Sequence, residues 1–242
     1  MSNIKGLLLR VGIDQTYGAY NAPINPLTND YMYMPIPQGD KLFKPGMRTS
    51  YDDLRPSFHD WCQRNTASLV FKQELEGKST HLDPDFYYLT YGDPARQVTN
   101  LTKGDFIAFF ASFKPIFKCD NNLVYALFGI MFVDSILKVS NVSKAELNKN
   151  AHTRLMDSDD INNHLVVFAD PCTSGRFRQA IPIGEFRSGS YRVTNTVLDQ
   201  WGNIDVKDGF IQRSVRPPWF LKPDQFIQWL ALQKIQLINN NW

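Results

Sequence analysis

The feature that most constrains this chain is a pair of apolar runs, "GDFIAFFASFKPIF" at 104–117 and "NNLVYALFGIMFVDSIL" at 121–137. Continuous apolar stretches rich in aromatic and β-branched residues suit strands buried on both faces, so the two predict neighbouring central strands. Asn121-Asn122 supplies turn chemistry between them. A third buried strand is expected in "NHLVVFADPC" at 163–172, ending in a turn. An opening strand is expected in "KGLLLRVGID" at 5–14, with Gly and Asp at its exit.

Residues 15–50 carry Pro23, Pro26, Pro35, Pro37 and Pro45. Proline at that density removes backbone donors and blocks helix, which predicts an ordered loop or edge segment. Within it, "YMYMPIP" can pair as a short strand. A helix is expected near "SYDDLRPSFHDWCQRN", with Pro56 limiting where it begins, and "SKAELNKNA" has helical propensity behind Ser143 as N-cap and Glu146. The final "KPDQFIQWLALQKIQLINNNW" reads as a core-packing helix. Phe226, Trp229, Leu230 and Leu237 fall largely on one face, and Pro223 with Asp224 suits the first turn. No repeats, long linkers or low-complexity tracts interrupt the chain. The reading is a single α+β domain over 1–242 with a mixed, mostly antiparallel sheet or partly open barrel and a C-terminal packing helix.

Composition narrows the function classes. At 43% hydrophobic and 21% charged, 242 residues can bury a sizeable core, which excludes wholesale disorder. A net charge of +2 argues against a protein that coats nucleic acid nonspecifically, while leaving room for a local basic patch. Cys62, Cys119 and Cys172 are odd in number and form no C-x-x-C pair, against a disulfide framework or structural zinc. No cleavage-site pattern follows the first apolar run, and no stretch approaches the roughly 18 apolar residues of a spanning helix. A reducing, cytoplasmic protein with no membrane partner is expected.

There is no P-loop, no G-x-G-x-x-G after a strand, no H-E-x-x-H and no nucleophile elbow. Four segments remain. In "RVGIDQTYGAYNAPINP", Arg10 could grip a phosphate or carboxylate and Asp14 could serve as base, with Tyr17 and Asn21 beside them. Alternatively Asp14 opens an Asx turn and Arg10 pairs with it. In "THLDPDFYYL", an extended chain would point His81, Asp83 and Asp85 to one side, giving metal-ligand or acid–base character, unless Pro84 turns the chain. In "NHLVVFADPCTSGRFRQ", Asp170 leaves a buried strand ahead of Arg176, either a ligand site or a solvated hairpin; Cys172 reads as a quiet thiol. In "GFIQRSVRPPWFL", Gln212, Arg213 and Arg216 lie among aromatics, as a phosphate-gripping surface or a rigid connector under the last helix.

Taken in order, "LLLRVGIDQTYGAYNAPINP", "MPIP", "HLDPDF", "LTKGDFIAFFASFKPI" and "DGFIQRSVRPPWFL" resemble the nucleotide modification associated domain 3 family, over essentially the whole chain. The His-Leu-Asp-Pro-Asp block at 81–85 is the most specific element. Val11 stands where the family more often has a basic residue, and "YNAPINP" where Pro-Ser-Pro is commoner. The strand after Gly104-Asp105 is also similar to base-reading barrels of the PUA-like kind. The resemblance implies a role in modifying nucleotides or bases, and it matches its polar motifs at Arg10, Asp14, His81, Asp83 and Asp85.

The expectation is therefore an enzyme acting on a nucleobase or nucleotide. Asp14, His81, Asp83 and Asp85 would be catalytic. Arg10, Tyr17, Asn21, Asp170, Arg176, Gln212, Arg213 and Arg216 would bind substrate or phosphate. The alternatives are a non-catalytic reader of modified nucleic acid and a scaffold subunit working beside other modification enzymes. The cofactor is unknown; a divalent metal is compatible with the acids, and no ligand set is assigned.

Overall fold

The computed structural model describes residues 4–94, 97–118, 122–212 and 216–242. In chain order the first strands are β1 (Gly6–Arg10), β2 (Pro23–Ile24), β3 (Ile36–Pro37), β4 (Thr80–His81), β5 (Thr90–Asp93) and β6 (Phe106–Pro115). Next come β7 (Val124–Lys138), β8 (Leu165–Ala169), β9 (Gly175–Pro182), β10 (Gly184–Arg187), β11 (Ser190–Val193) and β12 (Leu237–Ile238). The α-helices are α1 (Tyr51–Arg64), α2 (Asp159–Asn162), α3 (Asn195–Trp201) and α4 (Pro223–Leu232).

The two apolar runs are the centre of the sheet. β6 and β7 pair antiparallel from Phe106↔Phe132 to Phe113↔Val124, with an irregularity after Phe109. On the far edge of β6 lie β1 and, further along, β2, both parallel to it. The far edge of β7 is shared. Its first half carries β9 and its second half β8; β12 then pairs with β9, and β5 with β8. The result is a mixed sheet of eight strands, not closed into a barrel. The turn from Asp170 to Ser174 separates the two branches.

Period-two alternation explains why the runs are apolar throughout. Leu7, Leu9, Ile107, Phe109 and Phe128 face α1 and the proline-rich segment. Leu8, Phe106, Phe110 and Leu127 face α3 and α4, against Trp201, Phe226 and Trp229. Tyrosines order the proline-rich segment: Tyr31 Oη donates to Phe177 O at 2.6 Å, and Tyr33 Oη to Pro84 O at 2.9 Å.

Several expectations shift. α1 begins before Pro56, because Ser50 and Asp53 form a capping box that nucleates the first turn. The final helix stops at Leu232. Lys234 takes a positive φ of 52°, and Leu237 leaves the helix to join β12, where the edge of β9 offers hydrogen bonds. Residues Lys144–Lys149 form a 3₁₀ helix, and the Ser143 hydroxyl bonds Glu146 rather than capping the backbone. The "YMYMPIP" segment pairs through β3 with β4, setting Ile36 opposite His81. Asn121 of the expected turn lies outside the described residues. Among the described residues, no helix is long and apolar enough to cross a membrane.

Candidate functional site

β1 ends at Arg10↔Phe110, and the chain then leaves the sheet through a tight loop. Asp14 organises that loop. Its Oδ1 accepts the N–H groups of Thr16 (2.7 Å) and Tyr17 (2.8 Å), an Asx turn, and its Oδ2 pairs with Arg10 at 2.7 Å. Arg10 also donates to Ser112 Oγ at 2.9 Å and to the Gln212 carbonyl, and its guanidinium lies over the Tyr125 ring. Gly18 closes the loop at φ 109°, where an added Cβ would meet Ile13 at 2.6 Å. Asn21 ties the loop down by donating to both oxygens of Ser112. Arg10 and Asp14 thus satisfy each other, and the exposed group they present is Tyr17, 62% accessible.

The opposite wall comes from residues 80–94. β4 delivers His81, whose Nδ1 lies 2.8 Å from Gln38 Oε1. Asp83 is buried. Its carboxylate accepts the Gly92 N–H at 2.8 and 3.0 Å and Asn150 Nδ2 at 3.2 Å. From a separate segment, His152 brings Nε2 to 3.3 Å from Asp83 Oδ2; His81 Nε2 lies 3.9 Å from that same oxygen. Behind His152, its Nδ1 is 2.7 Å from His164 Nδ1, and His164 Nε2 is 3.4 Å from Asp160.

Burial governs the electrostatics. Desolvation pushes the Asp83 carboxyl from 3.8 up to about 7, only partly offset by His81 and the hydrogen bonds from Gly92 and Asn150. Desolvation lowers His81 to about 4, reinforced by His152, and lowers His152 to about 4, reinforced by Lys41. Both imidazoles are therefore neutral at pH 7.

The two walls enclose one cavity of about 800 Å³, lined among others by Arg10, Asp14, Tyr17, His81, Asp83 and His152. Five of those six were anticipated from the sequence. His152 was not: it sits alone in the polar "KNAHTRLM", and no motif or periodicity marks it.

Asp85 does not join its neighbours. The chain turns after Asp83, so alternation fails, and Asp85 is buried away from the cavity lining. Its Oδ2 pairs with Arg154 at 2.7 Å, and its Oδ1 takes Tyr87 N, Tyr88 N and Asn241 Nδ2. Asp170 accepts the Cys172 N–H in the turn between β8 and β9. Arg176 holds the C-terminal segment through Asn240. Gln212 braces Arg10 through its carbonyl and takes Tyr191 N through its side chain. Arg216 pairs with Asp205 beside Pro217, which reaches the cavity rim. Arg213 lies outside the described residues.

Comparison with curated proteins and with solved structures found no match. A family model does match, over residues 5–229 of 242. That span takes in every strand of the sheet except β12, the β1 exit loop and every residue of the cavity wall just described. The chain belongs to the family described as nucleotide modification associated domain 3.

Proposed function

We propose that this protein is an enzyme that modifies a nucleotide or a nucleobase held in the cavity at the β1 exit. The observation that carries the reading is the cavity itself. Its roughly 800 Å³ falls within the 300–1,000 Å³ range of small-molecule sites and accommodates a nucleotide. Its walls differ in character. One presents Tyr17 with Val11 and Pro217, aromatic and apolar surface suited to a base face. The other gathers His81, Asp83 and His152, the groups suited to acid–base or metal-assisted chemistry.

The roles divide accordingly. Asp83, His81 and His152 act on the substrate, and Tyr17 stacks on it. Arg10 and Asp14 brace the loop that shapes the cavity, since both Arg10 terminal nitrogens already bond to protein groups. Asp85 supports the fold behind the wall. A base within a polynucleotide would reach such a cavity only by extrusion, so free nucleotides and single strands are the first substrates to try.

The test is a panel of nucleoside mono- and triphosphates and single-stranded oligonucleotides, followed by thermal shift and by mass spectrometry of the products. A ligand that stabilises the protein and is altered by wild type but not by Asp83→Asn supports the reading. Binding without alteration, equal in wild type and Asp83→Asn, would overturn catalysis in favour of a non-catalytic reader.

A further inference from the structure

We infer that His81, Asp83 and His152 form a binding site for one divalent transition-metal ion, with its open coordination positions turned to the cavity. The inference deepens the reading above, and rests on it only for what the ion acts upon; the ion's binding stands on the geometry alone.

The first observation is the donor set. His81, Asp83 and His152 each offer one ligand atom, and these atoms lie within 4.8 Å of one another. Ligands about 2.1 Å from a shared ion stand roughly 3–4 Å apart, and two of the pairs already measure 3.3 and 3.9 Å. Two imidazoles and a carboxylate select a borderline cation such as zinc or ferrous iron over magnesium or calcium, which prefer all-oxygen shells. Three protein ligands with vacant positions are the pattern of reactive rather than structural metal sites.

The second observation is the lone pair on His152. His152 is 4% exposed and its Nε2 has no hydrogen-bond partner. Following protons inward from the surface assigns its state. Lys41 pairs with Asp160, so Asp160 is a carboxylate and takes the His164 Nε2 proton. His164 Nδ1 is then an acceptor, and at 2.7 Å it receives the proton of His152 Nδ1. His152 Nε2 is left as a bare lone pair aimed at Asp83 Oδ2. Two acceptors facing each other in a buried site are reconciled by a metal ion or a proton between them, and the third donor, His81, converges on the same point as a metal ligand would.

The third observation is how each ligand is held. Gln38 accepts from His81 Nδ1, turning its Nε2 to the site. Gly92 and Asn150 hold the Asp83 carboxylate. The Asp160–His164 chain orients His152. Such outer partners fix ring orientation and tautomer at metal centres.

The test uses the full chain after chelator treatment, titrated with Zn²⁺, Co²⁺, Fe²⁺ (anaerobically) and Mg²⁺. Isothermal titration gives stoichiometry, and Co²⁺ absorption reports nitrogen coordination. One equivalent of Zn²⁺ or Co²⁺ should bind, Mg²⁺ should not compete, and Asp83→Asn and His81→Gln should each weaken binding at least 100-fold with circular dichroism unchanged. Gln38→Ala should weaken it about 10-fold. No stoichiometric Zn²⁺ or Co²⁺ binding in wild type, or equal binding in a His81→Gln/Asp83→Asn double variant, would overturn the inference. Nucleotide binding is measured on the same chelated protein. Nucleotide binding without ion binding removes the ion and leaves the proposed function, and ion binding with no nucleotide does the reverse.

Discussion

His152 Nε2 stands 3.3 Å from Asp83 Oδ2 with no hydrogen-bond partner of its own. In the metal-free protein a proton on Asp83 is the alternative way to reconcile them. Burial raises that carboxyl to about 7 from an ordinary 3.8, so over this interval the folded chain keeps a proton that the unfolded chain releases. The contribution of Asp83 to stability is therefore complete below about 4 and is lost as pH rises through 7. Asp83→Asn does not titrate. In chelator its melting temperature relative to wild type should rise by about 3 °C or more between pH 4 and pH 8. A difference that stays flat across that range would show that Asp83 is ionised throughout.

The Asp85–Arg154 pair is nearly inaccessible, and Asn241 completes the shell around Asp85. Removing one partner strands a buried charge. Asp85→Ala should lose about 3–5 kcal/mol by urea unfolding, and Asn241→Ala about 1–3 kcal/mol. Neither side chain lines the cavity, so at temperatures where Asn241→Ala stays folded its ligand affinity should be that of wild type.

Gly92 lies directly under the His152 ring. A Cβ built there would sit 1.9 Å from His152 Cδ2, and the Gly92 N–H also holds Asp83. Gly92→Ala should therefore displace His152, costing about 1–3 kcal/mol as overpacking and weakening Co²⁺ binding by about 10-fold or more. Wild-type affinity in this variant would mean that His152 is not a ligand.

Asp14 separates a bracing role from a chemical one. Asp14→Asn keeps the carbonyl that takes Thr16 N and Tyr17 N, and loses only the charge facing Arg10. Its turnover should stay within about 10-fold of wild type, a loss of under about 1.4 kcal/mol. Loss as complete as in Asp83→Asn would make Asp14 a catalytic group after all.

Tyr17 is the exposed aromatic lining the cavity. Tyr17→Ala should leave the melting temperature of the free protein unchanged and weaken nucleotide binding by about 1–3 kcal/mol, the contribution of one stacked base. Calorimetric titration against the nucleotide identified by the panel checks it.

What the sequence determined by itself was everything carried by local pattern. The apolar runs specified β6 and β7 as neighbouring central strands, because a strand buried on both faces has no polar positions, and the structure pairs them antiparallel. Gly and Asp at the end of "LLLRVGID" marked the exit loop, and the His-Leu-Asp block placed two acid–base groups close together in the chain. Local pattern also overreached. Alternation grouped Asp85 with Asp83, and helical periodicity carried the last helix through Leu237. In each case a longer-range partner won: Arg154 and Asn241 for Asp85, the edge of β9 for Leu237.

What only the tertiary structure decided was the meeting of the walls. β1 packs parallel to β6, and β8 carries β5 on the other branch of the sheet, which sets the β1 exit across a cavity from Asp83. His152 comes from a segment with no regular pattern, positioned by its bond to His164 and by the gap that Gly92 leaves for its ring. Hydrogen bonds and close packing between residues far apart in the chain have no sequence period, so a lone histidine acquires its chemistry only where the fold puts a carboxylate in front of it.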